Sequence, residues 1–394
     1  MRVDATATAE WGASDQPDEA VAGAQVGPPA QPGAPGEDGT VVANRYAVDL
    51  GEPLGTGGMA VVYRGRDLRT RRQVALRTLR AEYRGNPATR ARFRHETRLQ
   101  AFASHPNIAR VFDLHEDQEA PWAVHEYVPG PSLQELLRER GPFPPAEVAD
   151  LLDQVAAALA HLHAKGLVHL DVTPKNLLVT PEGVVKLIDF GLAQHAGLVQ
   201  EPIGGATFGT AAYLAPEQAR GEPVEPTTDI YALGCVVYEL LTGEPPFTLE
   251  SVGGTKHDVV RAHLERTPLP PSKARPDLDL PPAVDDVLLW ALAKPPNERY
   301  HDVTSFARLF RSAVERQPIG DLASGTTPLP PLQTSAADRA STRRVGGPVP
   351  RPPTTAPPVV RNRAHMPPPL ATLGGPPTAA EASTARRPVA EVGS

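Results

Sequence analysis

From Tyr46 onward the apolar positions come in short runs broken by glycine and charge, as in Tyr46-Ala-Val, Ala60-Val-Val-Tyr63 and Val74-Ala-Leu-Arg77. Short Val- and Tyr-rich runs bounded by turn residues predict strands, the first two joined through a glycine turn at Gly55-Thr-Gly-Gly58. A helix is predicted over 86–102, with Pro87 near its start. Ser132, followed three residues later by Glu135, has the form of a capping box and opens a short helix. A longer helix begins at Pro144-Pro-Ala-Glu147. In it Val148, Leu151, Leu152, Val155, Leu159 and Leu162 recur at three and four residues, the stripe of a buried helical face. The apolar segment 230–241 is helical and ends at Thr242-Gly243, and residues 282–292 and 302–314 form two more amphipathic helices.

Composition limits how much of the 394 residues folds. The 46 prolines and 33 glycines are concentrated towards the two ends. Residues 1–43 hold seven acids and one Arg with almost no apolar periodicity, which predicts a disordered acidic leader, too polar for a secretory signal. Residues 317–394 read as a disordered Pro- and Arg-rich tail, either a linker or, through pieces such as Pro328-Leu-Pro-Pro331 and Arg351-Pro-Pro353, a docking segment for partners. No run of eighteen apolar residues occurs, so no membrane span is expected and a cytoplasmic protein is. The formal charge of -7 and the lack of a dense basic patch argue against nucleic-acid binding. Cys235, the only cysteine, lies in an apolar run and reads as a small buried hydrophobe in a reducing compartment. Only six of the 39 basic residues are Lys.

Two short apolar runs, 166–168 and 184–188, each give way to a loop carrying an acid. The first leads into His169-Leu-Asp171-Val-Thr-Pro-Lys175-Asn176, and thirteen residues after Asn176 stands Asp189-Phe190-Gly191. An acid at a strand end is held by rigid scaffold yet faces solvent, where phosphoryl transfer requires one. The pair resembles the catalytic loop and the metal-binding Asp-Phe-Gly of protein kinases, specifically the bacterial serine/threonine type. The resemblance implies that Asp171 accepts the substrate proton and that Asn176 and Asp189 bind Mg2+ beside ATP. It also implies an α+β, two-lobed fold over about 44–316. The smaller lobe (44–128) would be mainly β with one key helix, and the larger (129–316) helical.

The other implied site residues follow the same order along the chain. Gly55, Gly57 and Gly58 would close backbone amides over the phosphates, although the third glycine of that loop is Ala60. Leu54, Val62, Ala75 and Leu178 would sandwich adenine, with the backbone of Glu126 and Val128 at its edge and His125, neutral and packed, behind it. Glu96, in Phe93-Arg-His-Glu96, would hold the residue that grips the phosphates. That residue is Lys in the family and Arg77 here, longer and forked where the family has a compact ammonium. In the catalytic loop Leu170 replaces an Arg and Thr173 a Lys; Lys175 is either the substitute cation or an exposed loop residue.

Between Gly191 and Ala215 the resemblance implies an activation segment, with Thr207 a phosphosite and Thr210 a partner of the catalytic Asp. His169 and Phe190 would pack beneath the site. Glu217 of Ala215-Pro-Glu217 would pair with Arg299, and Asp229 would brace the catalytic loop. Small-molecule kinases lack these last features, which makes protein the implied substrate. Two functions stay open: a kinase transferring phosphate to Ser or Thr hydroxyls, or a nucleotide-binding pseudokinase scaffold in which Arg77, Leu170 and Thr173 mark lost catalysis.

Overall fold

The computed structural model describes residues 40–116, 120–199 and 211–316. The leader up to residue 39, the tail from 317, and both Thr207 and Thr210 lie outside the described residues.

The first lobe is an antiparallel sheet of six strands: β1 (Thr40–Val42), β2 (Tyr46–Thr56), β3 (Ala60–Asp67), β4 (Gln73–Leu79), β5 (Val111–Glu116) and β6 (Pro121–Glu126). Their spatial order is β1-β2-β3-β4-β6-β5. Strand β1 corrects the expectation of a disordered leader reaching residue 43. Val42 pairs with Tyr46 and is buried with it and Val48, so the Val41-Val42 pair supplies an edge strand that the polar residues before it mask in the sequence. The β2–β3 ladder is irregular around Pro53, as a residue without an N–H requires.

Alternation along β4 decides what reaches the cleft. Val74 and Leu76 enter a cluster with Tyr46, Val48, Trp122 and Val124 on one face of the sheet. Ala75 and Arg77 therefore project from the other face, in register with His125 and Ala123 of β6, and Val62 of β3 stands opposite Arg77. The far end of that second face is covered by helix α1 (Pro87–Phe102), whose Phe93 packs on Ala60, Leu79 and Ala123. Asn86 caps this helix, its side-chain oxygen accepting from the amides of Ala88 and Thr89. Its buried face is half polar: Glu96, Thr97 and Gln100 lie beside Phe93 and Leu99. Thr97 and Gln100 bond to the backbone oxygens of Phe93 and Ala109, which leaves Glu96 as the buried charge to be explained.

The second lobe is helical. Helix α2 (Leu133–Arg140) opens with the full Ser132–Glu135 capping box. Helix α3 (Pro145–His163) lays its apolar stripe against α5 (Pro226–Thr242) and α8 (Val303–Val314), with α7 (Pro282–Ala291) completing the bundle. Every residue of α5 from Thr228 to Leu241 is buried, so it forms the core and not a surface. Leu159, fully buried in that core, would cost about 2–5 kcal/mol on truncation to Ala. Two small helices, α4 (Pro216–Arg220) and α6 (Lys256–Glu265), pack against each other. Short strands β7 (Leu167–Val168), β8 (Leu177–Val179) and β9 (Val185–Leu187) carry the acid-bearing loops over the core. The segment that follows β6 packs tightly against β8 at Gly130, where φ is +151° and an added Cβ would stand 1.9 Å from the Val179 carbonyl oxygen.

Candidate active site

The lower half of the site is assembled from backbone strain and one buried acid. Leu170 and Asp189 both have positive φ, +66° and +60°. Non-glycine residues hold that conformation only where their surroundings impose it. At Leu170 the constraint is Asp229, whose two carboxylate oxygens accept the amides of His169 and Leu170 at 2.8 Å each, while His163 Nε2 lies 2.9 Å away. His169, fully buried, takes the Asp171 N–H on Nδ1 at 3.3 Å and meets the Phe190 ring edge-on at 4.9 Å. Leu170 itself is buried with Val168 and Val224, so an apolar side chain stands where a cation would face solvent.

Asp171 is thereby fixed at the cleft floor. The Asn176 side-chain amide donates to its backbone oxygen at 2.9 Å and to its Oδ2 at 2.7 Å, and Lys175 Nζ is 3.8 Å from Oδ2. Oδ1 is buried and has no hydrogen-bond partner among the described residues. The same is true of the Thr173 hydroxyl, which lines a small cavity with Asp171, Leu170 and Tyr213. The carboxylate is thus held at one oxygen and, among the described residues, unpaired at the other, which is buried.

The upper half carries the charges. Arg77 Nη2 lies 3.2 Å from Glu96 Oε2 and 3.6 Å from Asp189 Oδ1. Glu96 is 3% exposed, and burial pushes its carboxyl above the usual range despite the guanidinium of Arg77. A second arginine, Arg92, completes its bonding, with Nε 2.9 Å from Oε1 and Nη2 2.8 Å from the Gly191 carbonyl oxygen. At Asp189, whose side chain is still 43% exposed, the desolvation that would raise the carboxyl is outweighed by Arg77 and the Gly191 amide, so it is held below the usual range and stays ionised.

Leu54 is exposed, Val62, Ala75 and Leu178 are half-buried, and none of the four belongs to a buried cluster; Val128 is buried and Glu126 half-buried. The Glu126 amide is already bonded to the Arg110 carbonyl, and its carboxylate to Lys186 Nζ at 2.7 Å. His125 is buried and neutral, its pKa pushed down to about 3 by desolvation and by Arg77. At Gly55 and Gly58 an added Cβ would meet nothing within 4 Å, and Gly57 bonds its amide to the Ala60 oxygen. The protein's own packing does not require glycine there, which leaves the turn as an open cradle for a ligand.

Below the site Arg299 and Glu217 form a bidentate pair, at 2.7 and 2.8 Å, with both side chains at most 2% exposed. Nearby, Tyr213 donates to Glu239 at 2.5 Å, and burial pushes the Glu239 carboxyl up to about 7. The structure thus brings Arg77, Glu96, Asp171, Lys175, Asn176 and Asp189 to one cleft. Sequence reasoning missed Arg92, although its position four residues before Glu96 on a helix is a legible ion-pair spacing. It also missed Glu239, hidden as a single acid in the apolar run of α5.

Comparison with known proteins matches this geometry to a family. The protein kinase domain matches residues 48–309. Serine/threonine-protein kinase PknB of Mycolicibacterium smegmatis is 38% identical over 319 residues, 79% of this chain and 50% of that protein. The probable serine/threonine-protein kinase PknB of Corynebacterium glutamicum is 39% identical over 315 residues, 77% of this chain and 48% of its own. PknB of Mycobacterium tuberculosis is 40% identical over 265 residues, 66% of this chain. The chain spans about half the length or less of these relatives, 41–50%. With a match across most of the chain and relatives at this identity, the chain belongs to the protein kinase family, among the bacterial serine/threonine kinases.

Proposed function

We propose that the chain transfers the γ-phosphate of ATP to Ser or Thr hydroxyls of protein substrates. The observation that carries this is the Asp171 carboxylate, tied at Oδ2 by Asn176 and left at Oδ1 with no partner among the described residues. A carboxylate oxygen that the protein buries without a partner of its own supports a role as acceptor for the proton of a substrate hydroxyl brought against it. In the step, the hydroxyl oxygen forms a bond to the γ-phosphorus while the bond from that phosphorus to the β,γ-bridging oxygen breaks. ADP leaves with those electrons and the hydroxyl proton passes to Asp171. The apolar wall of Leu54, Val62, Ala75 and Leu178 suits adenine, and the glycine turn suits the phosphates.

Asp189, ionised, and Asn176, whose amide nitrogen is committed to Asp171, offer oxygens of the kind magnesium takes. When bound there the ion would supply charge neutralisation on the phosphate oxygens. Lys175 is the one lysine at this loop, and its approach to Asp171 supports a role in offsetting phosphoryl charge in place of a cation at Thr173. Arg77 argues less for a scaffold than its residue type suggests, because its guanidinium still meets Glu96 and faces Asp189.

Among the described residues no helix is long and apolar enough to cross a membrane. A cytoplasmic setting fits an ATP-using site and a single buried thiol. Partners of the Pro-rich tail remain a proposal from composition. The test of the catalytic reading is phosphate transfer from radiolabelled ATP by the parent and Asp171→Asn. A loss of roughly 10²–10⁴-fold is expected on removing a general base; a variant as active as the parent refutes it.

A further inference from the structure

We infer that Arg92 is a positioning residue which lets an arginine, Arg77, serve as the phosphate-facing cation, by fixing Glu96 and the Asp189-Phe190-Gly191 turn in one arrangement. The inference rests on the kinase reading above and concerns the same site.

Arg77 holds Glu96 weakly for a buried pair. A single nitrogen, Nη2, makes the contact at 3.2 Å and is shared with Asp189 at 3.6 Å. It is not the fork-to-fork pairing that gives an arginine and a carboxylate their strength. The other Glu96 oxygen is taken by Arg92 Nε at the shorter distance of 2.9 Å. From the same edge of that guanidinium Nη2 reaches the Gly191 carbonyl at 2.8 Å. One planar group therefore joins helix α1 to the turn that presents Asp189.

Without this link, Glu96 would have among the described residues only the shared Nη2 of Arg77, and the Gly191 carbonyl would lose the side chain that ties it to α1. Arg77 would then be drawn to Asp189, its remaining close acid, so that the phosphate cation and the metal carboxylate would neutralise each other. Among the described residues the bonds of the Arg92 guanidinium go to Glu96 and Gly191, and its side chain is 44% exposed. Its influence passes through Glu96 and Gly191. A lysine could replace one of its two bonds but not both, because an ammonium lacks the fork.

The test uses the full chain and the variants Arg92→Ala, Arg92→Lys and Glu96→Gln. Two measurements are made: initial rates of γ-phosphate transfer against ATP concentration, and unfolding temperature with and without magnesium ATP. Arg92→Ala is expected to raise KM for ATP and weaken the nucleotide-dependent rise in unfolding temperature, on the order of tenfold in affinity for a charge-assisted bond of this exposure. Arg92→Lys should fall between parent and Ala, and without nucleotide the unfolding temperature of both should stay near the parent's. Parent-like KM and nucleotide response in Arg92→Ala overturn the inference, as does a loss matched by a lower nucleotide-free unfolding temperature. If the parent transfers no phosphate, the kinase reading fails and the nucleotide response alone decides Arg92; if the parent also shows no nucleotide response, both fall.

Discussion

Arg299→Met is expected to destabilise the domain by roughly 5 kcal/mol, because the guanidinium uses all five of its N–H groups inside the protein. Two bonds go to Glu217, and the others to the carbonyls of Ala293, Thr227 and Lys294 at 2.8, 2.9 and 2.9 Å. Breaking a buried pair by removing one partner costs about 3–5 kcal/mol, and each carbonyl left dry adds up to about 1 more. That approaches the whole stability of a typical domain, about 5–15 kcal/mol. At about 2–4 °C per kcal/mol for a domain of this size, the unfolding temperature should fall by roughly 10–20 °C. The assay is thermal and urea unfolding of parent, Arg299→Met, Glu217→Leu and the double variant. The double variant should lose less than the sum of the singles by several kcal/mol, on the order of the pair's coupling, since no lone charge remains buried. Burial raises the Glu217 carboxyl but Arg299 outweighs it, so the pKa lies below the ordinary 4.5. A lowered carboxyl contributes stability above its unfolded pKa and loses it as pH falls through the folded value, so the parent but not the double variant should steepen in acid below about pH 4.5. A loss under about 1 kcal/mol in Arg299→Met, or strict additivity, would refute the argument.

Glu239→Gln tests the opposite sign: a carboxyl raised from 4.5 to about 7 favours the protonated folded state, so its contribution is full below the unfolded pKa and fades as pH rises through 7. The parent should lose about 3 kcal/mol relative to Glu239→Gln between pH 4 and 8, read from urea midpoints; parallel pH profiles would refute it. Lys175→Ala should lower kcat by roughly 10²-fold with KM for ATP little changed, if the ammonium acts on charge developing in the transition state. An unchanged kcat would return Lys175 to the status of an exposed loop residue.

Most of the fold was legible because its signals are local. The capping box at Ser132, the three-and-four stripe of α3 and the glycine after Thr242 each specify an element without reference to the rest of the chain. Strand β1 was not legible, because two valines after an acidic, proline-rich segment become a strand only when the sheet edge beside Tyr46 receives them. The same holds for Gly130: its close approach to Val179 joins segments 49 residues apart, and sequence shows only one more glycine in a loop.

For the acids of the site the sequence indicates position, while for Arg77 and Lys175 it names the candidates and leaves their reach open, for a physical reason. Asp171 and Asp189 stand at strand ends with motif spacing around them, so their positions follow from the backbone. A long cation is placed by whatever its head group reaches, and the identity of the residue says little about the reach. Arg77 reads as a defect in sequence, yet register on β4 sends it into the cleft, where it meets Glu96 and Asp189. Leu170 reads as a lost anchor, and in the structure it belongs to a buried apolar cluster below the site. Thr173 reads as a lost cation while Lys175, two residues on and already the candidate substitute, stands 3.8 Å from the Asp171 carboxylate. Positive charge is thus present beside Asp189 and Asp171 in the folded chain, carried by Arg77 and Lys175. Whether such a redistribution sustains transfer depends on how rigidly the longer side chains are held, and in this cleft the holding is done by Glu96 and Arg92.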